Sequence, residues 1–190
     1  MKIKHLLLTV AMSCTFAGSA LAMTQAEYKT QKDRIAGDYK AAKDKCASLK
    51  ANAKDICMSE AKGTDKVAKA EAEAGYKPTA KNTEKVGMAK ADATYSTAKE
   101  KCDDLSGNAK DVCVKDAKVA YTKAKDDAKI AKVSADTSKT KTEKMAEVKK
   151  DANADEKQAM YKAANERCDA LAGAPKGACQ NEAKAKYGMK

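Results

Sequence analysis

Tyr95-Ser96-Thr97-Ala98-Lys99-Glu100-Lys101-Cys102-Asp103-Asp104-Leu105-Ser106-Gly107-Asn108-Ala109-Lys110-Asp111-Val112-Cys113 is the segment on which the fold turns. Upstream of the glycine, Met88, Ala91, Tyr95, Ala98, Cys102 and Leu105 recur at alternating three- and four-residue steps, which puts them on one face of a helix. Gly107-Asn108 interrupts that pattern. Downstream, Ala109, Cys113, Ala117, Ala120, Ala124 and Ala128 make a second stripe, of side chains small enough for close helix approach. Asn108 reads as the N-cap of the second helix, with Asp111 at its positive end. Two antiparallel helices leaving this turn would bring Cys102 beside Cys113, within the roughly 7 Å between α-carbons that a disulfide requires. The segment therefore predicts a helical hairpin stapled near its closed end.

The same unit occurs three times. Tyr39, Cys46, Leu49 and Cys57 have the spacing of Tyr95, Cys102, Leu105 and Cys113, and of Tyr161, Cys168, Leu171 and Cys179. A lysine stands three residues before each second cysteine (Lys54, Lys110, Lys176), and Ala61-Lys62, Ala117-Lys118 and Ala183-Lys184 follow. In the first copy Asn52 and Asp55 take the capping roles. In the third, Gly173-Ala174-Pro175 opens the second helix with a proline. The tyrosines and leucines are in phase with the cysteines, so Tyr39, Leu49, Tyr95, Leu105, Tyr161 and Leu171 are expected to pack the hairpins. The copies lie 56 and then 66 residues apart, so the repeat is one of hairpins on unequal linkers rather than a tight solenoid. The expectation is an all-α chain of about six helices, elongated or loosely bundled and coiled-coil-like in its charge pattern. Hairpins span 23–75, 79–133 and 143–190, with a polar linker at 134–142. Little apolar surface is left to join one hairpin to the next.

The amino terminus reads as an export signal. Basic Met1-Lys2-Ile3-Lys4 precedes an apolar run, and Ala20-Leu21-Ala22 supplies the small-x-small cleavage pattern. Residues 1–22 are too diluted by Thr, Ser, Cys and Gly to serve as an anchor of roughly 20 strongly apolar residues. A lipoprotein anchored through Cys14 is the competing reading, and Ala11-Met12-Ser13 lacks the leucine usual three residues before such a cysteine. Loss of the signal removes Cys14 and leaves six cysteines. An even number in an exported chain is a disulfide framework, because that compartment is oxidising.

Removal of Lys2 and Lys4 takes the formal charge from +11 to +9, and His5, the one histidine, leaves as well. Only three Leu, three Ile and seven Val then remain. That is a poor supply for a core, offset by the high helix propensity of Ala and Lys. Without histidine the common acid–base and nucleophile-activating arrangements are missing, and there is no glycine-rich phosphate loop. Neither an enzyme, nor a cofactor, nor a small-molecule substrate is expected. Cysteine pairs ten residues apart lack the two-residue spacing of thiol oxidoreductases and zinc sites, which ranks a metal or redox role below staples. The positive excess suits anionic polymers such as lipopolysaccharide, acidic glycans or nucleic acid, bound weakly and in a salt-sensitive way. With two arginines, Arg34 and Arg167, and no aromatic interleaving, specific base recognition is not expected.

The Cys102–Cys113 unit resembles those of Ala/Lys-rich exported proteins of Gram-negative bacteria. In composition the chain is also similar to the long helical segment of TolA, an envelope protein, whose membrane anchor and globular domain have no counterpart here. The unit resemblance covers the three cysteine segments, implies a periplasmic envelope role, and carries no functional residue over. The function expected is thus a non-catalytic structural or stress-related envelope protein.

Overall fold

The computed structural model describes residues 22–190. The expected signal, with Ala20 of its cleavage site and Cys14, lies outside the described residues; Ala22 is their first residue. Six helices and no strand occupy the described residues: α1 (Gln25–Ala47), α2 (Ala51–Tyr76), α3 (Ala80–Cys102), α4 (Gly107–Ser134), α5 (Lys141–Cys168) and α6 (Gly173–Tyr187). None is long and apolar enough to cross a membrane.

The helices start where the sequence supplies a cap or a break. Thr24 and Glu27 form a reciprocal capping box on α1, and Thr79 accepts from the Asn82 amide at the start of α3. Pro78 lies in the turn between α2 and α3, where Asn82 closes the loop by donating to the Lys77 carbonyl at 2.8 Å. The tight turns inside the hairpins are made differently. Ala51, Gly107 and Gly173 hold the same place in the three copies, and all three are left-handed, with φ of 48°, 55° and 62°. Glycine adopts that conformation freely, whereas the alanine of the first copy is strained by its Cβ.

Each of the three predicted disulfides is present, with α-carbons 5.6 to 5.7 Å apart. The interior they anchor is thin. Apart from Ile35, the buried apolar residues among those described are the half-cystines Cys46, Cys102 and Cys168 and seven alanines, from Ala61 to Ala183. Small side chains compensate by letting backbones approach. A Cβ added to Gly63 would lie 2.7 Å from that of Ala93, and one added to Gly87 would lie 2.5 Å from that of Ala128. These close approaches seat α2 on α3 and α3 on α4.

Among the described residues each helix packs only against its neighbours in the chain: α1 on α2, α2 on α3, and so on to α6. The hairpins are therefore not separate bodies on polar linkers, since α2 packs on α3 and α4 on α5 along their lengths. Two recurrent polar contacts join them. Asn52 donates through Nδ2 to the Glu100 carbonyl and to Asp104, both at 2.8 Å, and Asn108 donates to the Glu166 carbonyl at 2.9 Å. Glu60 pairs with Lys101 as Asp116 pairs with Arg167, again at equivalent positions. This overturns the capping roles expected of Asn52 and Asn108. Their helices start at Ala51 and Gly107, two residues before the first helical residue that an asparagine N-cap would set, and the amides reach across to the next hairpin. Asp55 and Asp111 accordingly fall beyond the first turn, and Pro175 is the third helical residue of α6.

The glycine positions give substitutions of opposite sign. In urea unfolding of the oxidised protein, Ala51→Gly is expected to raise stability by about 1 kcal/mol, by relieving the left-handed alanine. Gly87→Ala is expected to lower it by roughly 1–3 kcal/mol, because the α3–α4 approach must open. Equal and small effects would show that neither position is constrained.

Candidate functional site

The residues placed at recurrent positions by the sequence separate into three environments. Cys46, Cys102 and Cys168 are buried and bonded to the half-buried Cys57, Cys113 and Cys179. No thiol remains among the described residues, and no group of three metal-ligating side chains is assembled there.

The leucines do not pack the hairpins. Leu49, Leu105 and Leu171 stay 39, 45 and 44% exposed. The reason is local: α3 and α5 end at Cys102 and Cys168, and α1 one residue past Cys46. The leucine three residues on is already in the turn, where the helical period no longer sets direction. Its backbone amide instead closes the helix end, as Leu105 does on the Cys102 carbonyl at 3.0 Å. Beside two of these turns the recurrent lysine finds a partner, Lys110 with Asp103 and Lys176 with Asp169, each at 2.9 Å. In the first copy Ala47 replaces the acid.

Tyr39, Tyr95 and Tyr161 are half-buried along the hairpin grooves, one turn or two above the staples. In the second hairpin Tyr95 stacks on Tyr121, with centroids 4.7 Å apart and planes 24° apart. Lys118, the recurrent lysine after the second cysteine, stands over both rings, its Nζ 5.3 and 4.4 Å from the two centroids. Lys99 covers Tyr95 at 5.9 Å. The Tyr121 hydroxyl donates to Asp92 at 2.7 Å. That bond, followed by partial burial and the charge of Asp92, pushes the phenol up to about 12. A second stacked pair, Tyr28 and Tyr76 at 4.7 Å, closes the open end of the first hairpin.

Sequence reasoning passed over Tyr121 and its counterpart Tyr187. Both stand eight residues past the second cysteine of their copy, so extending the repeat alignment by one more turn finds them. The Asp92 partner has no such signal, because it depends on the rotation of α3 against α4.

The Tyr121–Asp92 bond sets a pH dependence. A phenol raised in the folded state holds its proton after the unfolded chain has lost it. Its stabilisation is complete below pH 10 and disappears as pH climbs through about 12. Spectrophotometric titration near 295 nm should show one tyrosine ionising well after the others. Asp92→Asn should return it toward the rest; an unchanged curve would remove the bond from the account.

Comparison of the chain with protein-family models, with curated proteins and with solved structures finds no match.

Proposed function

We propose that the chain is a non-catalytic structural element of the bacterial periplasm, a stapled row of charged helices that supports the envelope under stress. The observation that carries this reading is the repeated junction. The same asparagine and the same acid–base pair join hairpin to hairpin, so a short design is extended by repetition into a long surface. Six cysteines committed to three local disulfides suit an oxidising compartment. They also allow the row to hold its form with almost no large apolar side chains.

A strain lacking the protein is expected to lose viability under osmotic, detergent or desiccation stress. Complementation with the natural chain should restore it, and a chain with all six cysteines replaced by serine should not. Normal growth of the deletion strain under all three stresses would sink the proposal.

The excess of positive charge favours a second reading, low-specificity attachment to anionic envelope polymers. Ion pairs along the row cancel charge for charge and leave that excess in place. Co-sedimentation with lipopolysaccharide, peptidoglycan and DNA should then fall steeply as salt rises. No binding at low ionic strength would end this reading.

A further inference from the structure

The positive excess of the chain is unevenly placed among its seams. In the groove between α2 and α3 every charged lining residue has a partner, Lys90 with Glu71 at 2.8 Å and Lys101 with Glu60 at 3.3 Å. The groove between α4 and α5 is different. On α4, Lys118, Thr122, Lys125 and Lys129 follow one another at steps of four, three and four residues, and so share a face. Asp155, Gln158 and Lys162 do the same on α5, at steps of three and four. The two helices pack together, and these faces border one pocket of about 230 Å³.

Four lysines and two aspartates line this pocket. One lysine answers both aspartates: Lys129 Nζ lies 2.8 Å from Asp126, whose side chain is 2% exposed, and 3.8 Å from Asp155. Lys118, Lys125 and Lys162 have no carboxylate partner among the described residues. Two of these ammonium groups stand over the same ring, Lys118 Nζ at 4.4 Å and Lys125 Nζ at 5.2 Å from the centroid of Tyr121. The ring attracts each of them, yet they repel one another, and Lys162 brings a third charge from the opposite wall. The pocket thus keeps two positive charges unanswered, in a groove that excludes part of the solvent able to screen them. Thr122 and Gln158 add uncharged donors beside the lysines.

We infer that this pocket binds a phosphate monoester, such as the phosphate of a sugar. Near neutral pH the monoester carries close to two negative charges, the number that the pocket leaves open, and its three free oxygens can meet lysines on both walls. A phosphodiester or a carboxylate, with one charge, would answer half of the excess. Lysine suits the part, because its ammonium is a point charge with three donors that turn freely toward a tetrahedral group. Low-specificity attachment needs only the charge of the whole chain; this site adds a defined place and a preference among anions.

Calorimetric titration of the oxidised protein with glucose 1-phosphate at low ionic strength tests this, with glucose and dimethyl phosphate as controls. One equivalent of glucose 1-phosphate is expected to bind, dimethyl phosphate about ten-fold more weakly, and glucose not at all. Lys125→Gln and Lys162→Gln should each weaken binding about ten-fold, as suits loss of one charge-assisted hydrogen bond. Neither side chain is buried, so both variants should keep the helical signal of the natural chain. Lys40→Gln, which removes the same charge from an exposed position on α1, should leave binding unchanged. Displacement of the sugar phosphate by lipopolysaccharide would place the ester on a lipid headgroup, and binding that lipopolysaccharide leaves intact would make it a soluble ester. A loss in Lys40→Gln equal to that in Lys125→Gln would overturn the site and leave only attachment by overall charge. Equal affinity for dimethyl phosphate, or no heat up to millimolar glucose 1-phosphate, would overturn it as well.

Discussion

Each disulfide holds two α-carbons 5.6 to 5.7 Å apart on facing helices, and the rest of the molecule follows from that spacing. Helices of 23 to 28 residues rich in Ala and Lys form readily on propensity. Two of them have little reason to associate. A buried alanine removes about one methyl group from water, worth roughly 0.8 kcal/mol, and alanine is most of what these interfaces bury. Closing a short loop covalently contributes about 3 kcal/mol in the chain-entropy model, comparable to several such contacts. The staple therefore sets the separation of the helix pair, and that short separation explains why alanine and glycine, rather than leucine, line the seams. Larger side chains would force the axes apart against the bond.

Among the described residues no disulfide joins one hairpin to the next, and the chain uses polar contacts that specify register more than they stabilise. The ion pairs joining α2 to α3 have side chains roughly half exposed, so solvent screens them and each contributes little. The asparagine contacts differ in kind. Glu100 and Glu166 lie in the last turns of α3 and α5, where their carbonyls accept from the Asp103 and Asp169 amides at 3.1 Å, and Asn52 and Asn108 donate to the second lone pair of each. One side chain thus ties into a neighbour's helix end and fixes the height of one hairpin against the next. Stability in such a row is a sum of units and nearest-neighbour terms, since among the described residues no helix touches any but its chain neighbours.

How much of this was legible depends on whether a residue's role was set within its own hairpin. The three- and four-residue steps through Ala91, Tyr95, Ala98 and Cys102 locate α3, and the cysteine spacing across Gly107 locates the turn and the staple, because both are local periodicities. Leu105 misled because the same arithmetic was carried past the end of the helix. Asn108 misled for a related reason. Its residue type and place beside a glycine fit an N-cap, but the left-handed Gly107 starts the helix two residues earlier than that cap would and turns the amide outward. Nothing local distinguishes an asparagine that caps its own helix from one that reaches Glu166, 58 residues away. The packing of hairpin on hairpin was hidden in the same manner, since glycine and alanine at Gly63 and Ala93 carry no hydrophobic signal.

The two recurrent contacts at the junctions differ in how closely they follow the packing. Glu182 holds the position of Glu60 and Asp116, and Lys45 that of Lys101 and Arg167, so the acid and the base recur on α6 and α1, which meet no further hairpin among the described residues. The asparagine does not: Ala174 stands where Asn52 and Asn108 stand, and Pro175 follows it. Asparagine is thus present at the two places where it reaches a neighbouring hairpin and replaced at the third, where it would have none to reach. An exposed lysine or carboxylate serves solubility and helix propensity wherever it stands, so its recurrence says little about packing, whereas an amide whose hydrogen bonds lie across a seam is of use only where the seam exists.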